Sequence, residues 1–579
     1  MSDDNPKEYT ELYKKFKRVS IAEFFEKNRH LLGFDSLRKA LLISVKELVD
    51  NSLDACEEAR VLPDIYVEII RMSKDVFKVV VEDNGPGIPY EKVPEIYGSF
   101  LFGTKFHRYV CTRGKQGIGA SAITLYSQLT TRRPIEVITK TPDSDKAIKH
   151  KIKINVKDNT PLVEERKYIS WNKKSGTSVT VYIKSQYVKG RQSVDEYIEL
   201  TALANPHARI TYINPDGEMF EYKRISNIVP ELKEIRPHPH GIEIGSFERM
   251  LKDTKYSNIK RFLMKEFYGI GNKTALEILR KAGLSEDTDP RKLSFDEIEK
   301  LYEVLQEAKV KAIPSKYITT MGKDNIIRSL TYLYDPDFVT AYVRRPAVYK
   351  GNSFIVEVGV AYGGRIDEFK IIRYANRVPL LYKSGECAIT NAIEGINLKN
   401  YGLTLEEGKV KDPLIIMVHI ASVWIPFTSE SKEAIAPYPE IIREIELGVK
   451  KVLRELEIFL NKKKSLESIG EKYKTLYGYG MELSKYLGDL LEISESSVRE
   501  KVIKRIREEL TTDIEEIIKG IREVRRLIRE GKIDSAKAFI RKLLKDVIET
   551  KVMSKEELDA LIENVIKKFE EKKLLEIEK

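Results

Sequence analysis

The chain has 579 residues, 42% hydrophobic and 33% charged, with 100 Lys+Arg against 89 Asp+Glu for a formal net charge of +11. Three or four domains are expected from that length, the Lys- and Glu-rich balance fits a heat-adapted source, and the basic excess favours polyanionic partners, nucleic acid foremost. Cys56, Cys111 and Cys387 form no CxxC pair, which leaves neither a disulfide framework nor a zinc site to read and fits a reducing compartment. The opening MSDDNPKEYTELYKKFKR lacks the apolar core of a signal peptide, and the longest apolar run, residues 413–427, is too short to cross a bilayer. A soluble, cytoplasmic protein with no membrane partner is expected.

Residues 36–60 read as a helix. In its stretch KALLISVKELVDNSLDACEEA, Leu41, Val45, Leu48 and Leu53 can face a core, while Glu47, Asn51 and Asp54 recur at i, i+4 and i+7 on the other face. A carboxylate base and an amide oxygen one turn apart suit proton abstraction beside a hard cation; a solvated helix face would show the same residues. Strands are predicted at 65–70 and 76–83. The second runs into VEDNGPGIPYEKV, which fixes the Asp83 carboxylate where strand becomes turn, although a plain surface loop would use the same glycines and prolines.

LFGTKFH then puts Thr104 and Lys105 on a lid-like segment. In YVCTRGKQGIGASAITLYSQL, Gly114, Gly117 and Gly119 lead straight into a helix, so backbone amides and a helix N-terminus can cradle phosphate. No GK[ST] closes the loop, which excludes a Walker A motif. Further strands are predicted at 135–140, 151–156 and 176–183, and the hydroxyl of Thr177, entering the last, can join Asp83 on one edge of a bound base. Helices mixed with hairpin strands predict an α+β layered sandwich.

IRPHPHG (235–241) reads as a stiff linker and not a metal site, because no third ligand stands near His238 and His240. Residues 246–308 are wholly helical in pattern, with a capping box at Ser294 and Glu297. Within them FYGIGNKTALEIL opens a helix on a Gly-Ile-Gly turn with Lys273 in its first turn, fit for a DNA phosphate or for nothing more than a tight helix connection. Lys189 and Arg191 in YVKGRQ are a second such candidate, and Lys309 and Lys311 would extend the surface; contacts of this kind weaken with salt and carry little sequence preference. Strands return over 317–427, with Asp335 and Asp337 of TYLYDPDF in a turn after a strand. From Pro437 onward the pattern is helical, with breaks at Gly478, Gly480 and Gly531 and a capping box at Ser554 and Glu557.

Glu-xxx-Asn on a helix, DxGxG after a strand, a glycine lid and GT entering a strand, in that order within residues 47–177, resemble the Bergerat (GHKL) ATP-binding fold. KELVDNSLDACEEARVLPDIYVEI, TRGKQGIGASAITLYSQLTT, NPHARI, RPHPHGIE, RYANRVPLLYKSGECAITNAI and VWIPFTSESKEAIA further resemble the B subunits of the type IIB DNA topoisomerases, the topoisomerase VI family. The resemblance runs from about residue 10 to about residue 470. Three departures stand out: GKQGIG where that family has GQQGIG, ITTMGK in place of LSPIGE, and INLKNYGL without a tryptophan.

That resemblance implies a GHKL ATP-binding domain with an N-terminal strap at 1–235, a helix–two-turn–helix domain at 236–315, an α/β transducer ending in a long helix (439–461) at 316–470, and a helical region at 471–579. ATP and Mg²⁺ are the implied cofactors. Glu47 would be the general base, Asn51 the Mg²⁺ ligand, Asp83 the acceptor of the adenine amino group and Thr177 its neighbour. Thr104, Lys105, Arg113, Gly114, Lys115, Gln116, Gly117, Ile118, Gly119 and Ala120 would surround the nucleotide, and Lys432 would reach the γ-phosphate from the second domain. A point charge on a flexible stem, delivered by another domain, lets one phosphate hold two domains in one arrangement.

DNA cleavage would fall to a separate A subunit docked on the long helix. Two ATP-bound chains would close as a symmetric gate, residues 9–34 crossing as a strap, in an A2B2 heterotetramer that passes double-stranded DNA. A chaperone or mismatch-repair ATPase of the same fold would share Glu47, Asn51, Asp83 and the lid but lack the 246–308 insert.

Overall fold

The structure, a computed structural model, describes residues 19–103, 108–114, 117–429 and 432–491, and the side chains of those up to residue 465. Among the described residues no helix is long and apolar enough to cross a membrane. The chain begins with α1 (Ile21–Lys27), capped by Ser20, whose hydroxyl accepts from the Glu23 amide at 3.1 Å. Phe25 stacks on Phe100 and Phe34 on Tyr126, with ring centroids 5.1 and 4.4 Å apart. In this single chain Phe25 and Phe34 pack on the sheet-bearing domain; residues 9–18 of the segment expected as a strap lie outside the described residues.

α2 (Leu37–Glu58) starts at Ser36 and buries Leu41, Val45, Leu48 and Leu53, the stripe its periodicity predicts. There follow β1 (Asp64–Arg71), β2 (Val76–Glu82), α3 (Val93–Gly98), α4 (Gly119–Thr131), β3 (Ile135–Lys140), β4 (Ala147–Asn155), β5 (Thr160–Ile169), β6 (Gly176–Lys184), α5 (Val194–Ala204), β7 (Arg209–Ile213) and β8 (Met219–Tyr222). The eight strands form one sheet in the order β5-β4-β3-β6-β2-β1-β7-β8, antiparallel except for β1 beside β7. β1 and β2 alternate buried and part-exposed positions, so one face takes the helices. β5, β7 and β8 were not anticipated. β5 is an edge strand with mostly exposed side chains, so it carries no apolar alternation to read.

α6 (Ile244–Lys252), α7 (Ile259–Glu266), α8 (Asn272–Ala282) and α9 (Phe295–Glu307) make the helical insert, which buries Phe247, Phe262, Phe267, Leu301 and Leu305 in a core of its own. The Ser294–Glu297 capping box starts α9. Then α10 (Lys323–Tyr334) stands where strands were expected. Its Ile and Tyr content favours strand, but Ile326 and Leu330 are one helical turn apart and both buried, and that packing decides. Asp335, at φ +40°, ends this helix, so Asp335 and Asp337 follow a helix and not a strand.

The second sheet contains β9 (Phe338–Val343), β10 (Ala347–Tyr349), β11 (Asn352–Tyr362), β12 (Lys370–Ala375) and β13 (Val378–Pro379); after α11 (Ala388–Glu394) and the small hairpin β14 (Leu405–Glu406) and β15 (Lys409–Val410) it is completed by β16 (Leu414–Ser422). β11 and β16 are buried along their whole length, which is why they read as unbroken apolar runs. α5 is shared between the sheets. Its Tyr197 and Ile198 join the core of the first, and Leu200 and Leu203 that of the second. Finally α12 (Pro439–Leu491) runs on past residue 461 and through Gly478 and Gly480 without the predicted breaks. A helical glycine costs only about 1 kcal/mol relative to alanine, too little to stop a helix of strong formers. Gly531 and the Ser554–Glu557 pair lie outside the described residues.

Candidate functional site

A cavity of about 550 Å³ opens where α2, the start of α4 and a loop before α12 converge. α2 contributes Lys46, Glu47 and Asn51; the glycine loop contributes Gly114, Gly117, Ile118, Gly119 and Ala120; the distant loop contributes Lys432. Ile88, Ile96 and Tyr97 supply apolar walls. One polar end with amides and charges and one apolar end fit an elongated polyanion that carries a flat, uncharged group.

At the apolar end Asp83 follows the last residue of β2 and is only 4% exposed, set behind the wall rather than in it. Its Oδ1 accepts from the Gly85 and Thr177 amides at 2.9 and 3.1 Å, and its Oδ2 from the Ser52 hydroxyl at 3.0 Å. Thr177 thus meets Asp83 through its backbone N–H. Gly176 stands at φ +143°, and a Cβ there would lie 2.3 Å from the Asp83 carbonyl oxygen, so this crossing requires glycine. Burial raises the Asp83 pKa even though Gly85, Ser52 and Thr177 donate to its carboxylate. A carboxylate has roughly four acceptor positions, so three donors leave room for one more.

The polar end is built from charges. Glu47 Oε2 lies so close to Gly119 that a Cβ at that residue would approach it to 2.1 Å, which sets the carboxylate against the first turn of α4, where backbone N–H groups are unpaired within the helix. Lys46 pairs with Glu47 at 3.2 Å and with Asp50 at 3.1 Å; burial opposes its charge, but the two acids hold its pKa up. Lys432, at φ +53°, donates to the Arg113 carbonyl oxygen at 3.4 Å. Burial lowers its pKa, with Glu47 pulling the other way. Next to it Glu433 pairs with Lys39 of α2 at 2.5 Å, tying the loop to that helix.

Arg113 was expected at the phosphates, but its side chain turns away and is fully buried. It reaches Asp54 at 2.8 Å and Glu57 at 2.6 Å, and it also bonds Asn205. Asp54 in turn accepts from the Arg113 and Gly114 amides at 3.4 and 3.2 Å, so it anchors the root of the glycine loop and does not face solvent. Thr104, Lys105, Lys115 and Gln116 lie outside the described residues. Of the DNA candidates, Lys189 is paired with Asp216 and Glu218 at 3.0 and 2.7 Å, and Arg191 with Glu368 at 2.6 Å, so acids match both charges. Lys273 is exposed in the first turn of α8. Ser52, Lys39 and Glu433 escaped sequence reasoning; Ser52 alone left a trace, a polar residue beside Leu53 on the buried side of α2.

Comparison with known proteins agrees with this geometry. Residues 40–177 match the family of histidine kinase-, DNA gyrase B- and HSP90-like ATPases, and residues 314–472 match the topoisomerase VI B subunit transducer. The chain is 46% identical over 454 residues to the B subunit of type 2 DNA topoisomerase 6 from Archaeoglobus fulgidus, covering 78% of this chain and 75% of that protein. It is 45% identical over 488 residues to the protein of the same name from Methanococcoides burtonii, covering 83% and 78%. With that of Pyrococcus horikoshii the identity is 36% over 559 residues, covering 88% and 98%.

Proposed function

The chain belongs to the family of type 2 DNA topoisomerase 6 B subunits, and from that premise we propose how its residues bind ATP, hydrolyse it and couple it to DNA passage. The observation that carries the reading is the cavity that Glu47, Asn51, the glycine loop and Lys432 line together. A chaperone or mismatch-repair assignment has no counterpart to the match over the transducer residues.

The base of the nucleotide lies toward Asp83, whose carboxylate accepts the exocyclic amino group. The phosphates lie along the glycine loop, on the amides that open α4. Glu47 orients the attacking water and takes its proton. Lys432 offsets the charge that gathers on the γ-phosphate oxygens. Mg²⁺ fits the donor set, because Asn51, which carries an amide oxygen, lines the cavity and this ion is commonly held by one or two protein oxygens together with substrate phosphates and waters. When bound it would neutralise phosphate charge; Asn51 is the residue that would hold it.

Domain limits at 1–235, 236–315 and 316–470 suit the apolar cores of the eight-stranded sheet, the helical insert and the second sheet, with 471–579 as a fourth, helical region. In this reading a separate A subunit cuts double-stranded DNA and docks on α12. Two copies of this chain close over ATP, and the assembly is an A2B2 heterotetramer acting in the cytoplasm. Lys273, with Lys189 and Arg191 in a lesser role, contacts DNA phosphates; the net charge of +11 supports a polyanionic partner.

The test is ATP hydrolysis and plasmid relaxation by the chain with its A subunit, with and without supercoiled DNA. DNA-stimulated turnover and ATP-dependent relaxation are expected, and Glu47→Ala should lower kcat by about 100-fold or more while leaving nucleotide affinity within a few-fold. Turnover indifferent to DNA would overturn the topoisomerase reading.

A further inference from the structure

Arg377 takes no part in the cavity, yet it grips the nucleotide-binding side of the molecule from the second sheet. Asn376 and Arg377 form the turn between β12 and β13, and both stand at positive φ, +48° and +66°. Two successive non-glycine residues hold such a conformation only where their surroundings impose it. Asn376 exchanges hydrogen bonds with the Ser422 backbone, Nδ2 donating to its carbonyl and Oδ1 accepting from its amide, each at 3.0 Å. The Arg377 amide donates to His419 Nε2 at 3.0 Å, and His419 Nδ1 lies 2.6 Å from Glu357.

With its backbone locked, Arg377 forks onto Glu57, Nη1 to Oε1 at 2.7 Å and Nη2 to Oε2 at 2.8 Å. The same Glu57 Oε1 accepts from Arg113 Nη2 at 2.6 Å and lies 2.9 Å from His207 Nε2. All these side chains are 2% exposed or less. Burial alone would push the Glu57 pKa up, but Arg113 and Arg377 hold it well below the usual carboxylate range; burial lowers that of His207. Two arginines then face the carboxylates of Glu57 and Asp54, and the charges cancel within the cluster.

Arg113 is the point where this cluster meets the chemistry. It opens the glycine loop, its amide and that of Gly114 rest on Asp54, and its carbonyl oxygen accepts from Lys432. The β12–β13 turn thus meets the root of the phosphate loop at two places, through the bidentate Arg377–Glu57 pair and through Asn376, whose Nδ2 donates to the Thr112 carbonyl oxygen at 3.3 Å and whose Oδ1 accepts from Cys111 Sγ at 3.1 Å.

We propose that Glu57 and Arg377 are positioning residues for ATP turnover, which join the transducer turn to Arg113 so that the phosphate loop and the second sheet shift together. The inference rests on the ATPase reading above. Neither residue lines the cavity. Arginine is required at 377 because a lysine keeps the charge but cannot make the planar two-bond grip that transmits orientation.

The experiment compares full-length wild type, Arg377→Lys, Glu57→Gln and the double variant. The readouts are melting temperature, affinity for a fluorescent ATP analogue, ATPase kcat and KM, and self-association in a slowly hydrolysed analogue. Arg377→Lys should bind nucleotide within about twofold of wild type with KM unchanged, yet lose about tenfold in kcat and a matching share of the nucleotide-induced dimer. The double variant should be no worse than the poorer single one, as for groups acting as one unit. Wild-type values in Arg377→Lys would overturn the proposal, as would equal losses of affinity and kcat that track the melting temperature, because either leaves the pair a structural clamp. Wild-type chain that hydrolyses no ATP would sink the ATPase reading along with this inference, whereas active wild type with an indifferent Arg377→Lys sinks the inference alone.

Discussion

The two ends of the cavity are built on opposite plans. At the base end, Asp83 is held by neutral donors from its own neighbourhood: an adjacent turn, the next strand of the same sheet and one hydroxyl of α2. At the phosphate end nearly every contact joins charges, and two of them, Lys432 and Glu433, come from a loop far along the chain. Hydrogen bonds from two amides and one hydroxyl close in the same domain leave the carboxylate little freedom to move. Ion pairs between distant segments depend on how those segments are placed. In the proposed ATPase, recognition of the nucleotide would fall to the end held by amides and a hydroxyl, and the sensing of its last phosphate to the end built from ion pairs.

Breaking each end separately should separate these roles. Asp83→Asn removes a charged acceptor, and hydrogen bonds to charged groups contribute about 1.5–3 kcal/mol; ATP and ADP should both bind about 10- to 100-fold more weakly. Lys432→Ala should leave ADP affinity unchanged and weaken dimerisation in a slowly hydrolysed ATP analogue by about tenfold. Calorimetry with the two nucleotides and sedimentation with the analogue give both answers. A variant that loses ATP and ADP equally at Lys432 would erase the distinction between the ends.

Lys39→Met sharpens the comparison at lower amplitude. It removes the ion-pair partner of Glu433 and frees the loop that carries Lys432, with Lys46, Glu47 and Lys432 left unaltered. A fall of about three- to fivefold in kcat with little change in KM is expected, and steady-state kinetics checks it. A change in KM alone would mean that Lys39 serves binding and not the placement of Lys432.

The two plans also explain what could be read in advance. Glu47, Asn51 and the glycines declare themselves because their spacing follows helix and loop geometry, and the stripe Leu41, Val45, Leu48 and Leu53 does the same for the core. The side-chain direction of Arg113 was illegible, because its partners Asp54 and Glu57 become a buried cluster only once α2 has packed against the second sheet. Glu433 and Lys39 were equally hidden, as two charges among very many. α10 and the edge strand β5 failed for a simpler reason: local propensity pointed away from helix in the first, and exposure removed any pattern from the second.

Acid offers the smallest but cleanest separation, since burial raises the pKa of Asp83 while Arg113 and Arg377 hold that of Glu57 down against its burial. A raised carboxylate contributes stability below its unfolded pKa, about 3.9 for Asp, and loses that contribution as pH rises through the folded value. Protonating Asp83 therefore does not unfold the chain; it removes an acceptor, and nucleotide affinity should start to fall at a pH above the usual aspartate range. Glu57 behaves in the opposite sense. Its contribution is complete above the unfolded value of about 4.3 and is lost only as pH falls from there through the depressed folded one. On lowering the pH, binding should weaken first, with the melting temperature of the free chain still held by the Glu57 cluster, and the melting temperature should drop only in stronger acid. Titrating both quantities in parallel checks the order. Simultaneous loss would mean that the rigid end and the ion-paired end share one titrating group, and the division of labour between them would fall.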